Sequence, residues 1–196
     1  MQGEISMTEA GSEDGDEKGT NFRFLPEFAE AIAEAANSWT ALEYAVNTTI
    51  WALADVKPAL GACLTAQIYT MPARMDALLS LMKLRQVSDA IIDRTNKFVS
   101  QFRDALDARN RTVHDYWMND RLRPESMGKL VITAQKVARF RIVSVEIAEL
   151  KNDVQKIHER RYQFEAIRRA VDDALPSLPR IPPASLYPIT ETPTAR

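Results

Sequence analysis

The chain is poor in the residues that staple, ligate or cradle. It has one cysteine and two histidines in 196 residues, and four of its six glycines fall in the first twenty positions. A lone Cys63 excludes a disulfide scaffold and an all-thiolate zinc site. No His/Cys set has metal-ligand spacing, no glycine-rich loop is built to hold phosphate, and no Ser-His-Asp pattern is evident, so no metal and no cofactor is expected. No basic stretch followed by an apolar run marks a signal peptide. The longest uncharged run, Pro58 to Ala73, is too short and too polar to span a bilayer. These absences lead to the expectation of a cytoplasmic protein that does not enter a membrane.

What remains is a helical domain between two unlike tails. Residues 1–21 hold six acidic residues against Lys18 and almost nothing apolar, and are predicted to be a disordered acidic tail. Without that segment the net charge of −2 becomes a weak positive excess, which permits an anionic partner without requiring one. Residues 176–196 contain six prolines and are predicted to be an extended tail. The domain is assigned to 22–175.

Within it, apolar residues recur at helical spacing from Pro26 to about Val56, with Lys57-Pro58 and Gly61 as breakers. A second helix is expected over roughly Cys63–Arg85, interrupted near Thr70-Met71-Pro72, with Met71, Met75 and Met82 as core filler. A third is expected from about Ser88 to Asp120, with Phe98, Phe102, Leu106, Val113 and Trp117 as its stripe. Residues 128–144 read as a β-hairpin, which must lean on the helices because two strands alone are marginal. A last helix follows over about Val145–Leu175. The expected fold class is all-α, a four-to-five-helix bundle with a small hairpin inserted before the last helix.

One residue breaks the pattern of the third helix. On a wheel of about 100° per residue Arg109 falls inside the apolar stripe, with Tyr116 close by and Asn110 and His114 on the stripe's edge. A guanidinium on a packing face is costly unless paired or placed in a cleft. Glu43, on the apolar stripe of the first helix, is a candidate partner, so the residues are compatible with a buried structural ion pair, with a functional site, or with both. Tyr116 reads equally as a half-buried aromatic with a wet tip. His158 is expected to be solvated, and Arg160-Arg161 and Arg168-Arg169 to form a mixed-charge outer face.

Arg109-Asn110-Arg111-Thr112-Val113-His114-Asp115-Tyr116 has the form R-N-x-x-x-H-x-Y near the end of a long helix. It resembles the signature of the HEPN superfamily, all-helical domains associated with nucleotides and RNA, and its pattern is similar to that of HepT-type toxins paired with minimal nucleotidyltransferase antitoxins. The match covers eight residues and the helix layout. The resemblance implies a metal-independent endoribonuclease, a toxin or defence effector, with Arg109, Asn110 and His114 as catalytic residues. It also makes Tyr116 a possible target of modification by a nucleotidyltransferase antitoxin. Chemistry agrees on residue types. Histidine titrates near neutrality and can act as acid or base, arginine offers a fixed cationic fork to phosphate oxygens, and asparagine can hold either. Since a single His cannot be base and acid at once, a homodimer that brings two copies of His114 into one cleft is expected, with RNA as substrate and a 2′,3′-cyclic phosphate as product. Its seam is expected along Phe98–Trp117. The alternative is a non-catalytic HEPN-like module that binds a nucleotide or a protein, with Arg109 kept for the fold.

Overall fold

The computed structural model describes residues 24–120, 123, 125–135 and 137–180. The acidic tail at 1–21 and residues 181–196 of the proline-rich tail lie outside the described residues. Pro26 opens helix α1 (Pro26–Leu53), where its fixed φ suits the first turn and its missing N–H would have had no partner. Helices α2 (Pro58–Thr65) and α3 (Met71–Leu84) follow. They are separated as expected near Thr70, whose Oγ1 caps α3 by accepting from the Ala73 N–H at 3.3 Å. The three methionines of α3 are buried. α1 and α3 end alike: Asp55 and Gln86 take left-handed φ of 56° and 54°, and the next N–H closes back on Trp51 and Met82. Arg85, buried, donates to the Leu53 carbonyl at 3.1 Å and so caps α1 from the end of α3.

Gly61 is not a breaker. It sits inside α2, which begins at Pro58 rather than near Cys63, and its bare backbone lies against the Trp51 ring. The Trp51 Nε1 then donates to Thr65 Oγ1 at 3.1 Å, so one glycine lets α2 lie on α1.

The long third helix is two helices, α4 (Asp89–Gln101) and α5 (Arg103–Val113), with a one-residue kink at Phe102. Ser100 Oγ bonds back to the Lys97 carbonyl at 2.8 Å and the Phe102 N–H turns to Val99 at 3.3 Å, which tightens the ladder there. α5 ends at Val113, seven residues before the expected end. Tyr116–Asn119 is instead a strand, β1, which pairs antiparallel with β2 (Met127–Gln135); β2 pairs in turn with β3 (Val137–Val145), giving the order β1-β2-β3. The hairpin is therefore the larger part of a three-stranded sheet. Trp117 points inward on the strand as it would have on a helix four residues beyond Val113, so periodicity could not separate the two. Its Nε1 donates to the Thr112 carbonyl at 3.0 Å and occupies one of the free acceptors at the end of α5.

α6 (Ile147–Ala174) packs along α1, and together they form the spine. α4 and α5 lie on α6, α5 also touches α1, and α2 and α3 cover the rest of α1. The core runs through Phe28, Leu42, Val46, Ile157, Phe164 and Val171, all fully buried. Phe98 and Phe102 pack on Phe164 and Trp39, and Trp117 packs on Phe28. Phe98, Phe102 and Trp117, in the region where a dimer seam is expected, are buried inside the protomer. Among the described residues no helix is long and apolar enough to cross a membrane.

The Gly61 contact makes a direct prediction. A Cβ at this position would stand 2.3 Å from Trp51 Cγ, so Gly61→Ala must displace the indole and its bond to Thr65. The expected loss is about 1–3 kcal/mol by denaturant unfolding, opposite in sign to the usual gain of replacing a helical glycine by alanine.

Candidate functional site

Phe102, Ala105, Ala108 and Thr112 are buried and fix the rotation of α5 against α1 and α6. That rotation leaves Arg109 half-buried on the flank facing α1, and Asn110 and His114 exposed at the helix end. The Arg109 guanidinium carbon lies 5.6 Å from the centroid of the Trp39 ring, and Trp39 is itself held by Phe102 at 5.3 Å. Arg109 Nη1 donates to Asn110 Oδ1 at 3.1 Å and also meets His114 Nε2. A guanidinium only donates, so any hydrogen bond in this contact runs from Arg109 to the ring nitrogen. His114 caps α5, and its N–H returns to the Asn110 carbonyl at 3.1 Å. The three residues singled out by spacing are therefore brought into mutual contact.

Glu43 does not take part. Its carboxylate lies 3.5 Å from Arg74 Nη1, across α1 and α3. The aromatic ring one turn earlier on the same stripe holds Arg109 instead. An arginine stacks on such a ring while keeping its N–H groups free at the edge, without the desolvation that a buried ion pair would impose. The sequence placed the partner on the right face of the right helix and one turn away. Trp39 was legible only as core, because an arginine–aromatic contact leaves no charge pattern to read.

Tyr116 does not share a helix face with Arg109. It is the first residue of β1 and is 66% exposed, with its ring on the outer side of the sheet. His158 is not solvated: Nδ1 lies 3.1 Å from Ser38 Oγ and Nε2 lies 2.8 Å from Glu34 Oε1, bridging α6 to α1. This brings together a serine, a histidine and a carboxylate that the sequence did not pair. Ser38 is only 1% exposed in mid-helix, so no substrate reaches it and the set is a polar clasp within the spine. The charges on α6 mix as expected, but Arg160 is largely covered rather than solvated. Arg168 pairs with Glu165 and Asp172, and Arg160 reaches Asp104 of α5 at 2.9 Å. The hydrogen bonds from Arg160 hold the Asp104 carboxyl below its ordinary value of 3.8. Arg111 ties the other end of α5 to Asp153 at 3.3 Å, so two charged links fix the helix that carries the site. Among the described residues no group of three or more His, Cys, Asp or Glu is placed to hold a metal ion.

No protein-family model matches the chain, and neither does any curated protein sequence or solved structure.

The exchange of Glu43 for Trp39 changes the expected energetics. Arg109→Ala should cost about 0.5–1 kcal/mol, the scale of an exposed cation–π contact, and not the 3–5 kcal/mol of a broken buried ion pair. In a double-mutant cycle measured by denaturant unfolding, Arg109→Ala and Glu43→Ala should be additive within about 0.5 kcal/mol. A coupling of several kcal/mol between them would restore the ion pair.

Proposed function

We propose that the protein is a HEPN-like, metal-independent endoribonuclease, a toxin or defence effector. The observation that carries this reading is the contact of one guanidinium with both Asn110 and His114 at an exposed helix end. A buried cluster would serve the fold alone; this one is open to a ligand while Trp39 holds it from behind. That backing also favours the second reading, a non-catalytic HEPN-like module that binds a nucleotide or a protein, since every partner of Arg109 is already within the chain.

In the catalytic reading a scissile phosphate takes the place of the His114 contact on Arg109. The guanidinium fork binds the non-bridging oxygens and stabilises the charge that grows on phosphorus. His114, acting as the base, accepts the proton of the 2′-hydroxyl, whose oxygen attacks the adjacent phosphorus. The bond to the 5′-oxygen breaks, that oxygen takes a proton from a second histidine, and a 2′,3′-cyclic phosphate remains. Asn110, with Oδ1 engaged by Arg109, keeps its amide N–H groups for a phosphate oxygen.

The second histidine is His114 of another copy. Tyr116, Leu130 and Ile142 form one row across the outer face of the sheet, and Tyr116 and Ile142 are exposed. This row begins two residues from His114, so a two-fold partner covering it sets the two imidazoles in one cleft. In the unpaired protomer this exposure leaves the Tyr116 hydroxyl open to a nucleotidyltransferase antitoxin, whose phosphate-linked product would block the partner copy and repel RNA.

Cleavage of RNA by the purified chain tests the reading. His114→Ala should lower the rate by about 10²–10⁴ with the melting transition unchanged, since His114 is an exposed cap. Arg109→Ala should abolish cleavage, and a chelator should leave the wild-type rate as it is. Light scattering should give the mass of a dimer for the active species. Full activity of His114→Ala, loss of activity with chelator, or an active monomer would each contradict this chemistry.

A further inference from the structure

The sheet and the start of α6 enclose a cleft of about 430 Å³ that the Arg109 cluster does not use. Strand register builds it. Trp117, Lys129 and Val143 lie in one row across the inner face, and Val131 and Arg141 form the next row outward. Leu150 on α6 faces them, so the floor is apolar and deepens towards buried Val145. Its volume lies within the range of small-molecule sites.

Its charges are arranged by wall. Lys129 is engaged by Asp115 at 3.1 Å and Arg111 by Asp153 at 3.3 Å. Arg141 on the sheet and Glu149 on α6 line the cleft, and neither has an ion-pair partner among the described residues. Asn152 stands beside Glu149 on the α6 wall. Thr112, also in the lining, has a buried hydroxyl with no hydrogen-bond partner. The cleft therefore offers an apolar slot with a free cation on one wall and a free carboxylate and amide on the other. A phosphate alone leaves the slot empty, and an apolar acid leaves Glu149 without a donor. A nucleotide whose base carries an amino group satisfies the whole arrangement: flat apolar faces, an anion at one end and N–H donors at the other.

We propose that this cleft binds one nucleotide of the RNA, with its phosphate on Arg141 and the amino edge of its base on Glu149 and Asn152. Its place along the strand rests on the ribonuclease reading. Arg111 borders the cleft, and His114 follows it by three residues on α5, a separation of about 5–6 Å between side-chain roots. The nucleotide in the cleft is then a close neighbour of the scissile phosphate and gives cleavage a base preference. Binding of a free nucleotide does not depend on cleavage.

The full chain is titrated by calorimetry with each of the four ribonucleoside 5′-monophosphates and with inorganic phosphate. AMP, GMP or CMP should bind more tightly than UMP, which lacks the exocyclic amino group, and phosphate should bind far more weakly than any of them. Arg141→Ala should weaken nucleotide binding by about 10- to 100-fold, the scale of one charge-assisted hydrogen bond. Glu149→Gln should reduce the preference over UMP. Both side chains are exposed, and matching thermal melts verify that the variants fold. These results support the site whether or not the chain cleaves RNA. Absence of nucleotide binding at millimolar concentration, binding indifferent to both substitutions, or phosphate binding as tight as nucleotide binding overturns it, and the cleavage assay still decides the ribonuclease reading separately.

Discussion

The stacking of Arg109 on Trp39 is the contact on which the rest of the site depends. Trp39 is a core residue of α1, packed on Phe102 at the kink between α4 and α5. Arg109 belongs to α5 and ends the core on that side. One aromatic ring thus serves two purposes: it packs on Phe102 in the core, and it supplies a shelf for a cation at the boundary with water. The guanidinium gains a fixed position without being buried, so its donors stay available at the rim, where Asn110 and His114 meet them. An ion pair with Glu43 would have neutralised the same group.

How far the sequence carried this depended on what periodicity can report. The helices of the spine, the interruption at Thr70 and the hairpin were legible because each rests on local spacing or turn chemistry. The end of α5 was not. Trp117 points inward both on a continuous helix and on a helix followed by a strand, and only the pairing of Tyr116–Asn119 with β2 decides between them. The grouping of Arg109, Asn110 and His114 was legible from one helix alone. Their support was not, since Trp39, like the Ser38–His158–Glu34 clasp, depends on contacts between segments far apart in the chain.

The extra strand matters for function because it turns a hairpin into a wall. With β1 in place, the inner sheet face carries Trp117 beside Lys129, and the space between that face and α6 becomes a lined cleft rather than an open groove. The outer face presents Tyr116 and Ile142 to solvent. The end of α5 therefore stands between a cleft on one side of the sheet and an apolar row on the other. In the ribonuclease reading the first takes RNA and the second takes a partner copy, with His114 at the junction.

The most direct measurement is the chemistry of the ends left on RNA by the purified chain, read by mass spectrometry of the fragments. Transfer to the neighbouring 2′-oxygen, driven by Arg109 and His114, leaves a 2′,3′-cyclic phosphate on one fragment and a 5′-hydroxyl on the other. Fragments ending in a 3′-hydroxyl and a 5′-phosphate would mean that water or another nucleophile attacks phosphorus, and would contradict the proposed role of this cluster.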